Sequence, residues 1–117
     1  MPFKFEKLEI WKLPIEMANE VHFLTRSFPK EEVYSLTSQM KRAADSISLN
    51  IAEGSTGQSN PEQRRFLGYA LRSAIEVVNC LYLAIRRGYI DQLIFKKFYN
   101  ELDKLVAKVQ AFKNSLK

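Results

Sequence analysis

The chain has 117 residues, of which 46% are hydrophobic and 26% are charged, and a formal net charge of +5. This length fits a single domain, residues 1–117, with its own core, and the balance of residue types excludes a disordered chain. The single Cys80 excludes an internal disulfide and favours a reducing, cytoplasmic location. The most apolar window, residues 74–85, is interrupted by Glu76 and Asn79 and is too short for a membrane span, so we expect no contact with a membrane.

Proline and glycine divide the chain into four segments in which apolar side chains recur every three or four positions, the spacing of helices. The first predicted helix covers about residues 10–27 and ends ahead of Pro29. Pro14 lies in its first turn if the helix begins near Trp11, where a missing N–H is tolerated, and a start at Pro14 itself fits equally well. The face predicted to meet the core carries Trp11, Ile15, Ala18, His22 and Thr25.

The second predicted helix covers residues 30–53. It follows Pro29 and has Glu31 and Glu32 in its first turn, where the helix dipole favours carboxylates. Gly54 would close this helix by adopting the left-handed conformation that glycine reaches without strain. The predicted core stripe consists of Val33, Leu36, Met40, Ala43, Ile47 and Ile51.

The third and fourth predicted helices cover residues 61–87 and 91–116. Asn60 is the predicted N-cap of the third, with Pro61 at its first position and Gln63 completing a capping box. Gly88 ends this helix and Asp91 caps the next. Short connections make consecutive helices antiparallel, so the sequence predicts an all-α fold, an antiparallel up-down-up-down four-helix bundle.

Two helices carry more than a core stripe. In the second, Gln39, Arg42, Ser46, Asn50 and Glu53 fall on one flank beside the core, and Leu49 points away from it. In the third, Arg65, Arg72 and Arg86 lie on the outer side, bordered by Ile75 and Tyr82. Apolar residues interleaved with ordered polar residues on an outer surface are typical of a subunit interface, so we expect self-association.

Basic residues occur in adjacent pairs, and two interpretations of them are open. They could form ordinary solvated surface with intrahelical ion pairs, such as Arg72 with Glu76. Alternatively, the outer side of the third helix contacts phosphates without reading sequence, through the row Arg65, Arg72 and Arg86. Seven residues of a helix span about 10 Å along its axis. The pairs are Lys41-Arg42, Arg64-Arg65, Arg86-Arg87 and Lys96-Lys97, and the candidate nucleic-acid-binding residues are Lys41, Arg42, Arg64, Arg65, Arg72, Arg86 and Arg87.

The sequence contains no pattern of residues that would support catalysis or metal binding. His22 is the single histidine, and we expect neither a second histidine nor a cysteine beside it, so we expect it to be hydrogen-bonded at the border of the core. Glu20 and His22 are too close in sequence for the Glu-x-x-His pair of a di-iron bundle. The stretch GSTGQS lacks the lysine of a phosphate-binding loop. We therefore predict a protein that is not an enzyme and has no cofactor or metal.

Several segments of the chain resemble a known family. These are FEKLEIWKLPIEMA, FPKEE, LTSQMKRAADSISLNIAEG, RRFLGYALRSAIE and RRGYI, which together span nearly the whole chain. They are similar to the four-helix-bundle proteins encoded in intervening sequences of bacterial 23S rRNA genes. The resemblance implies a helical bundle that assembles into a ring-like homopentamer. It also implies similarity to the accessory protein of diversity-generating retroelements, a basic pentamer that binds nucleic acid and works beside a reverse transcriptase.

The residues that match the family pattern are expected to fix helix packing and subunit contacts. They are Gln39, Arg42, Ser46, Asn50, Glu53, Gly54, Ser73 and Glu76, with Leu49 added as a candidate interface residue. Two positions depart from the pattern. Arg72 stands where the family often has glycine, and the loop STGQSN after Gly54 is neutral where relatives are often basic.

The resulting hypothesis is a non-enzymatic homo-oligomer, pentameric by resemblance, that presents a basic surface to RNA or DNA without sequence preference. Its expected partners are copies of itself, nucleic acid, and a reverse transcriptase or another protein. The alternative is a protein-interaction scaffold whose basic residues serve solubility and subunit pairing, with no nucleic-acid function.

Overall fold

A computed structural model describes residues 3–57 and 59–117, and these form an all-α four-helix bundle. The helices are α1 (Glu9–Leu24), α2 (Leu36–Gly54), α3 (Asn60–Arg86) and α4 (Gln92–Ser115). Short 3-10 helices cover Lys4–Lys7, Thr25–Ser27 and Lys30–Glu32. Each of α1 and α3 packs against both α2 and α4, so α1 and α3 lie diagonally across a bundle with extents of 43 × 22 × 22 Å.

The core runs the length of the bundle and is filled by the apolar stripes of the four helices. The predicted stripe of α2 is confirmed from Leu36 onward, with Met40 and Ile47 almost fully buried. Leu67 and Leu81 of α3 and Leu102 of α4 are also almost fully buried. Burying a side chain of this size stabilises the fold by about 1.5–3 kcal/mol.

The predicted inward face of α1 is only partly correct. Ala18 and Thr25 are buried as predicted, but the buried stripe is centred on other residues. Ile10, Pro14, Met17 and Val21 are buried, whereas Trp11 is only half-buried. The helix begins at Glu9 rather than at Trp11 or Pro14, so Pro14 lies beyond the first turn and faces the core. Its ring removes one backbone donor within the helix but adds apolar surface to the interior.

The start of α2 also differs from the prediction. The helix begins at Leu36, because residues 30–32 form a separate 3-10 helix and residues 33–35 form a turn. Val33, which the pattern placed in the core, is 45% exposed. The carboxylate of Glu32 accepts the N–H of Leu36 at 3.2 Å, so Glu32 supports the start of the helix from outside it.

Gly54 has a different role from the one predicted. Positive φ angles occur at Gly57 and Gly88 but not at Gly54, which is the last residue of α2. A Cβ at Gly54 would lie 2.7 Å from Cβ of Phe66, which is closer than real Cβ atoms approach. The glycine is therefore needed for close packing of α2 on α3 rather than for a left-handed turn.

The N-cap of α3 is Ser59, not Asn60. The Ser59 hydroxyl accepts the N–H of Glu62 at 3.3 Å, and Asn60 is the first helical residue, with its side chain donating to the carbonyl of Lys117 at 3.1 Å. The predicted cap of α4 is confirmed, since the Asp91 carboxylate accepts the N–H of Ile94 at 2.9 Å.

By length and composition α3 could cross a membrane, and it is the one described helix that could. In the bundle, however, Leu67, Ala74 and Leu81 of this helix are buried in the core, while its outer side carries Arg65 and Arg72. The apolar character of α3 is therefore explained by its position in the core.

The two glycines within helices α2 and α3 give a direct test of this packing. Gly54→Ala should lower the free energy of unfolding by about 1–3 kcal/mol, because the added methyl group forces α2 and α3 apart. Gly68→Ala is the matched control, since a Cβ at Gly68 would meet only Lys113 Nζ, at 3.7 Å. Alanine there should leave the stability unchanged or raise it by up to about 1 kcal/mol. Urea unfolding of both variants measures the difference, and equal stabilities would contradict the close approach at Gly54.

Candidate nucleic-acid interface

Two α2 residues of the family pattern, Ser46 and Gln39, meet α3 along one seam. The hydroxyls of Ser46 and Ser73 are hydrogen-bonded at 2.5 Å, and Gln39 Nε2 donates to the Glu76 carboxylate at 3.4 Å. Ser46 Oγ also lies 3.0 Å from the carbonyl of Ala43. Because a hydroxyl has one proton, Ser46 can donate to that carbonyl while it accepts from the Ser73 hydroxyl across the seam. Polar contacts therefore align α2 and α3 beside the apolar core.

Three other α2 residues of the family pattern hydrogen-bond within α2 or are exposed to solvent. Asn50 Nδ2 donates to the carbonyl of Ser46 at 2.8 Å, which lies within the same helix. Arg42 and Glu53 are exposed. Leu49 is 56% exposed, as its position on the helix predicted. The seam thus has an outer edge that carries both charged and apolar side chains.

The arginine row lies on the outer side of α3, diagonally opposite α1. Arg65 and Arg72 are separated by about 10 Å along the helix axis, and Arg86 lies about 21 Å further. Arg65 pairs with Glu62 through one guanidinium nitrogen. Arg72 and Arg86 are exposed and form no ion pair within the described part of the chain. The anticipated pair of Arg72 with Glu76 is not formed, and the Glu76 carboxylate accepts a hydrogen bond from Gln39.

Two other candidate arginines are used to hold the bundle together. Arg64 NH1 donates to the carbonyls of Lys113 at 2.6 Å and Leu116 at 3.1 Å, which satisfies carbonyl groups at the C-terminal end of α4. Arg87 NH1 binds the Glu32 carboxylate at 3.0 Å. The remaining candidate, Lys41, is half-buried.

Glu32 is a buried carboxylate that the sequence pattern did not identify as structurally important. It accepts hydrogen bonds from the hydroxyls of Tyr89 and Ser35, each at 2.7 Å, in addition to those from Leu36 and Arg87. These donors, Tyr89 first, lower the pKa of Glu32 to about 2, although burial acts in the opposite direction. The same hydrogen bond raises the pKa of Tyr89. Glu32 therefore joins the start of α2 to the turn between α3 and α4 as a carboxylate.

His22 and Cys80 show no arrangement typical of catalysis. His22 Nε2 lies 3.1 Å from the Asp45 carboxylate, which confirms the predicted hydrogen-bonded histidine at the border of the core. Cys80 is buried, and burial raises the pKa of its thiol to about 11, so it is not a thiolate at neutral pH. Within residues 3–57 and 59–117, no three histidine, cysteine or acidic residues are grouped as metal ligands.

Apolar side chains remain exposed around the arginine row. Ile75 is 63% exposed and Tyr82 is 48% exposed, and both belong to α3. The Tyr82 ring makes an edge contact with Phe95 of α4, with the ring centroids 5.0 Å apart. Elsewhere on the bundle, Phe23, Tyr34 and Leu93 are also largely exposed.

The fold places the chain in the class of small all-α four-helix bundles. A sequence model described as 23S rRNA-intervening sequence protein matches residues 6–111. The chain therefore belongs to the 23S rRNA-intervening sequence protein family.

One solved structure similar to the chain is a crystal structure from Bacteroides thetaiotaomicron VPI-5482, described as a protein with unknown function from the S23 ribosomal protein family. It superposes with a TM-score of 0.79 at 21% sequence identity, over 89% of this chain and 97% of that chain. At that identity the likeness establishes the fold alone. A comparison with curated proteins gives no match.

The lowered pKa of Glu32 predicts how the stability of the fold changes in acid. Because its pKa is lowered from 4.5 to about 2 on folding, its contribution is complete above pH 4.5 and is lost as the pH falls towards 2. Glu32→Gln should lower the thermal midpoint at pH 7 and make the midpoint less dependent on pH between 4.5 and 2. Glu31→Gln, at the exposed neighbouring position, is the control. The same acid dependence in Glu32→Gln and in the unmodified protein would contradict the assignment.

Proposed function

We propose that this protein is a non-enzymatic homo-oligomer, assembled as a pentamer, that binds RNA or DNA without sequence preference through the outer side of α3. The observation that carries the proposal is that Arg72 and Arg86, on that side, have no acidic partner among the described residues. Helix α3 contains four arginines and two glutamates. One glutamate is paired with Arg65 and the other accepts from Gln39, which leaves an excess of positive charge on the helix.

Guanidinium groups on an outer helix suit phosphate groups. An arginine without a carboxylate partner keeps all its donors for an incoming anion, and the guanidinium geometry allows bidentate contact with phosphate oxygens. Contacts of this kind position a nucleic acid without reading its bases. The net charge of +5 adds a weak attraction over a longer range.

Self-association is supported by apolar side chains that the bundle leaves exposed on its α2 and α3 faces. Leu49 and Ile75 are each more than half exposed. Repeating the chain around a ring would bring several arginine rows onto one assembly, and multiple weak contacts would then act together. The number of five subunits rests on the family resemblance. The exposed apolar side chains support self-association without specifying a number of subunits.

The scaffold alternative is favoured by the same exposed apolar residues, since Ile75 and Tyr82 lie beside the arginines. On this alternative the arginines would border a protein interface. Removing them would then break up a protein complex rather than weaken nucleic-acid binding.

The charge-reversal double variant Arg72→Glu with Arg86→Glu tests the nucleic-acid proposal. Affinity for a 20-nucleotide oligomer at low salt should fall about tenfold or more. The slope of log K against log salt should become shallower by about 1 to 2, as expected when two phosphate contacts are lost. Fluorescence anisotropy titrations across salt concentrations measure both quantities.

The control is Lys12→Glu with Lys104→Glu, which makes the same change in net charge at exposed positions on α1 and α4. Equal losses in the two double variants would mean that net charge alone governs binding. If the unmodified protein does not bind at low salt, or binds with an affinity indifferent to salt, the nucleic-acid part of the proposal is wrong.

Leu49→Asp tests self-association. An exposed aspartate should leave the helical circular dichroism unchanged, but it should weaken an interface that buries Leu49. Light scattering should then report a lower mass than for the unmodified protein at the same concentration. Leu13→Asp, at an exposed leucine on α1, is the matched control. An unchanged mass for Leu49→Asp would place any interface elsewhere on the bundle.

A further inference from the structure

Gly68, in the interior of α3, is not required by packing within the chain. A Cβ at this position would meet only Lys113 Nζ, at 3.7 Å, which is an ordinary contact with the end of a flexible side chain. At Gly54, by contrast, a Cβ would meet Phe66 Cβ at 2.7 Å. Glycine weakens the interior of a helix, so Gly68 lowers the stability of α3 without easing a steric conflict inside the bundle. The space above Gly68 is open to a molecule from outside.

That space is a groove of about 470 Å³ between the outer side of α3 and the end of α4. Four cationic residues line it together with Gly68 and Tyr69, and no acidic side chain in the described ranges lines it: the cations are Arg64, Arg65, Arg72 and Lys113. The backbone of Gly68 is part of the groove wall, so a ligand can approach the helix more closely here than beside a larger residue.

The four cations differ in how many of their hydrogen-bond donors are already used within the chain. Arg64 uses NH1 on the carbonyls of α4, and Arg65 uses one nitrogen on Glu62. Arg72 and Lys113 form no ion pair among the residues that the structure describes. The groove therefore holds two cations without carboxylate partners and two that keep part of their donor set.

We infer that a phosphate group of single-stranded nucleic acid binds in this groove, between Arg72 and Lys113 and over the backbone of Gly68. The inference rests on the proposed function and gives it a specific site and strand type. A phosphate is compact and offers several acceptor oxygens, so it can use the partly engaged guanidiniums of Arg64 and Arg65 as well. The missing Cβ at Gly68 supplies the room for it.

Tyr69 favours a single strand over a duplex. Its side chain is 38% exposed at the groove, and its ring makes an edge contact with Phe66 at a centroid distance of 5.6 Å, which restrains its orientation. An unpaired base next to the bound phosphate can stack on an exposed ring, whereas the bases of a duplex are already stacked on each other. A helix of a second copy is a poorer occupant, since it would have to bring carboxylates to both Arg72 and Lys113.

Gly68→Leu tests the site because leucine is a good helix former that would occupy the groove. The probe is a fluorescein-labelled 20-nucleotide oligothymidine, compared by anisotropy with a duplex of equal length. We expect the affinity for oligothymidine to fall at least about tenfold while the thermal midpoint is unchanged or higher. Asn100→Leu, at an exposed position on α4, is the control and should bind as the unmodified protein does.

The outcomes separate this inference from the proposed function. If the unmodified protein binds oligothymidine and Gly68→Leu binds it equally well, the groove site is wrong and the proposed function stands. If the unmodified protein binds neither probe at low salt, the proposed function fails and the groove inference with it. A duplex bound more tightly than oligothymidine overturns the single-strand assignment. A change in oligomer mass without a change in affinity assigns Gly68 to a contact between copies and overturns the inference.

A second variant keeps the test valid if Gly68→Leu does not fold. Arg72→Gln with Lys113→Gln removes the two cations without carboxylate partners and adds no bulk to the groove. It should weaken oligothymidine binding several-fold and make the salt slope shallower, whereas Lys12→Gln with Lys104→Gln should change affinity much less. Equal effects of the two pairs would contradict a specific site at Gly68.

Discussion

The close approach of α2 to α3 is the constraint on which the rest of the structure depends. At one end Gly54 lies against Phe66, and further along, the hydroxyls of Ser46 and Ser73 are hydrogen-bonded at 2.5 Å. The close approach depends on small residues at these points, Gly54 and Ser46 on α2 and Ser73 on α3. Arg72, next to Ser73 in sequence, is exposed on the outer side of α3, where the candidate interface lies.

The cations of this family member divide into two groups with different tasks. Arg64 and Arg87 hydrogen-bond to groups elsewhere in the chain and hold helix ends and turns in place. Arg72 and Arg86 are exposed and form no ion pair among the described residues. Arginine therefore serves both to stabilise the bundle and to make its surface positive. The distinction lies in whether a carbonyl or carboxylate of the same chain is within reach.

The helices and most of the core could be predicted from the sequence because periodicity and capping act over a few residues, as at Asp91. The start of α2 could not, since Glu32 takes its position from Arg87 and Tyr89, which are distant in sequence. Likewise, the role of Gly54 depends on a neighbouring helix rather than on its own turn. For the candidate site, the sequence supplied the arginines, but not which of them were already bonded.

The two carbonyl contacts of Arg64 have a consequence for mapping any ligand by alanine scanning. These bonds fasten the final turn of α4, and that turn carries Lys113, which lines the groove beside Gly68. Truncating Arg64 would loosen this turn and shift a second cation as well, so two positive charges would be disturbed by one substitution. A scan would then report a loss of binding at Arg64 even if its guanidinium never touched the ligand.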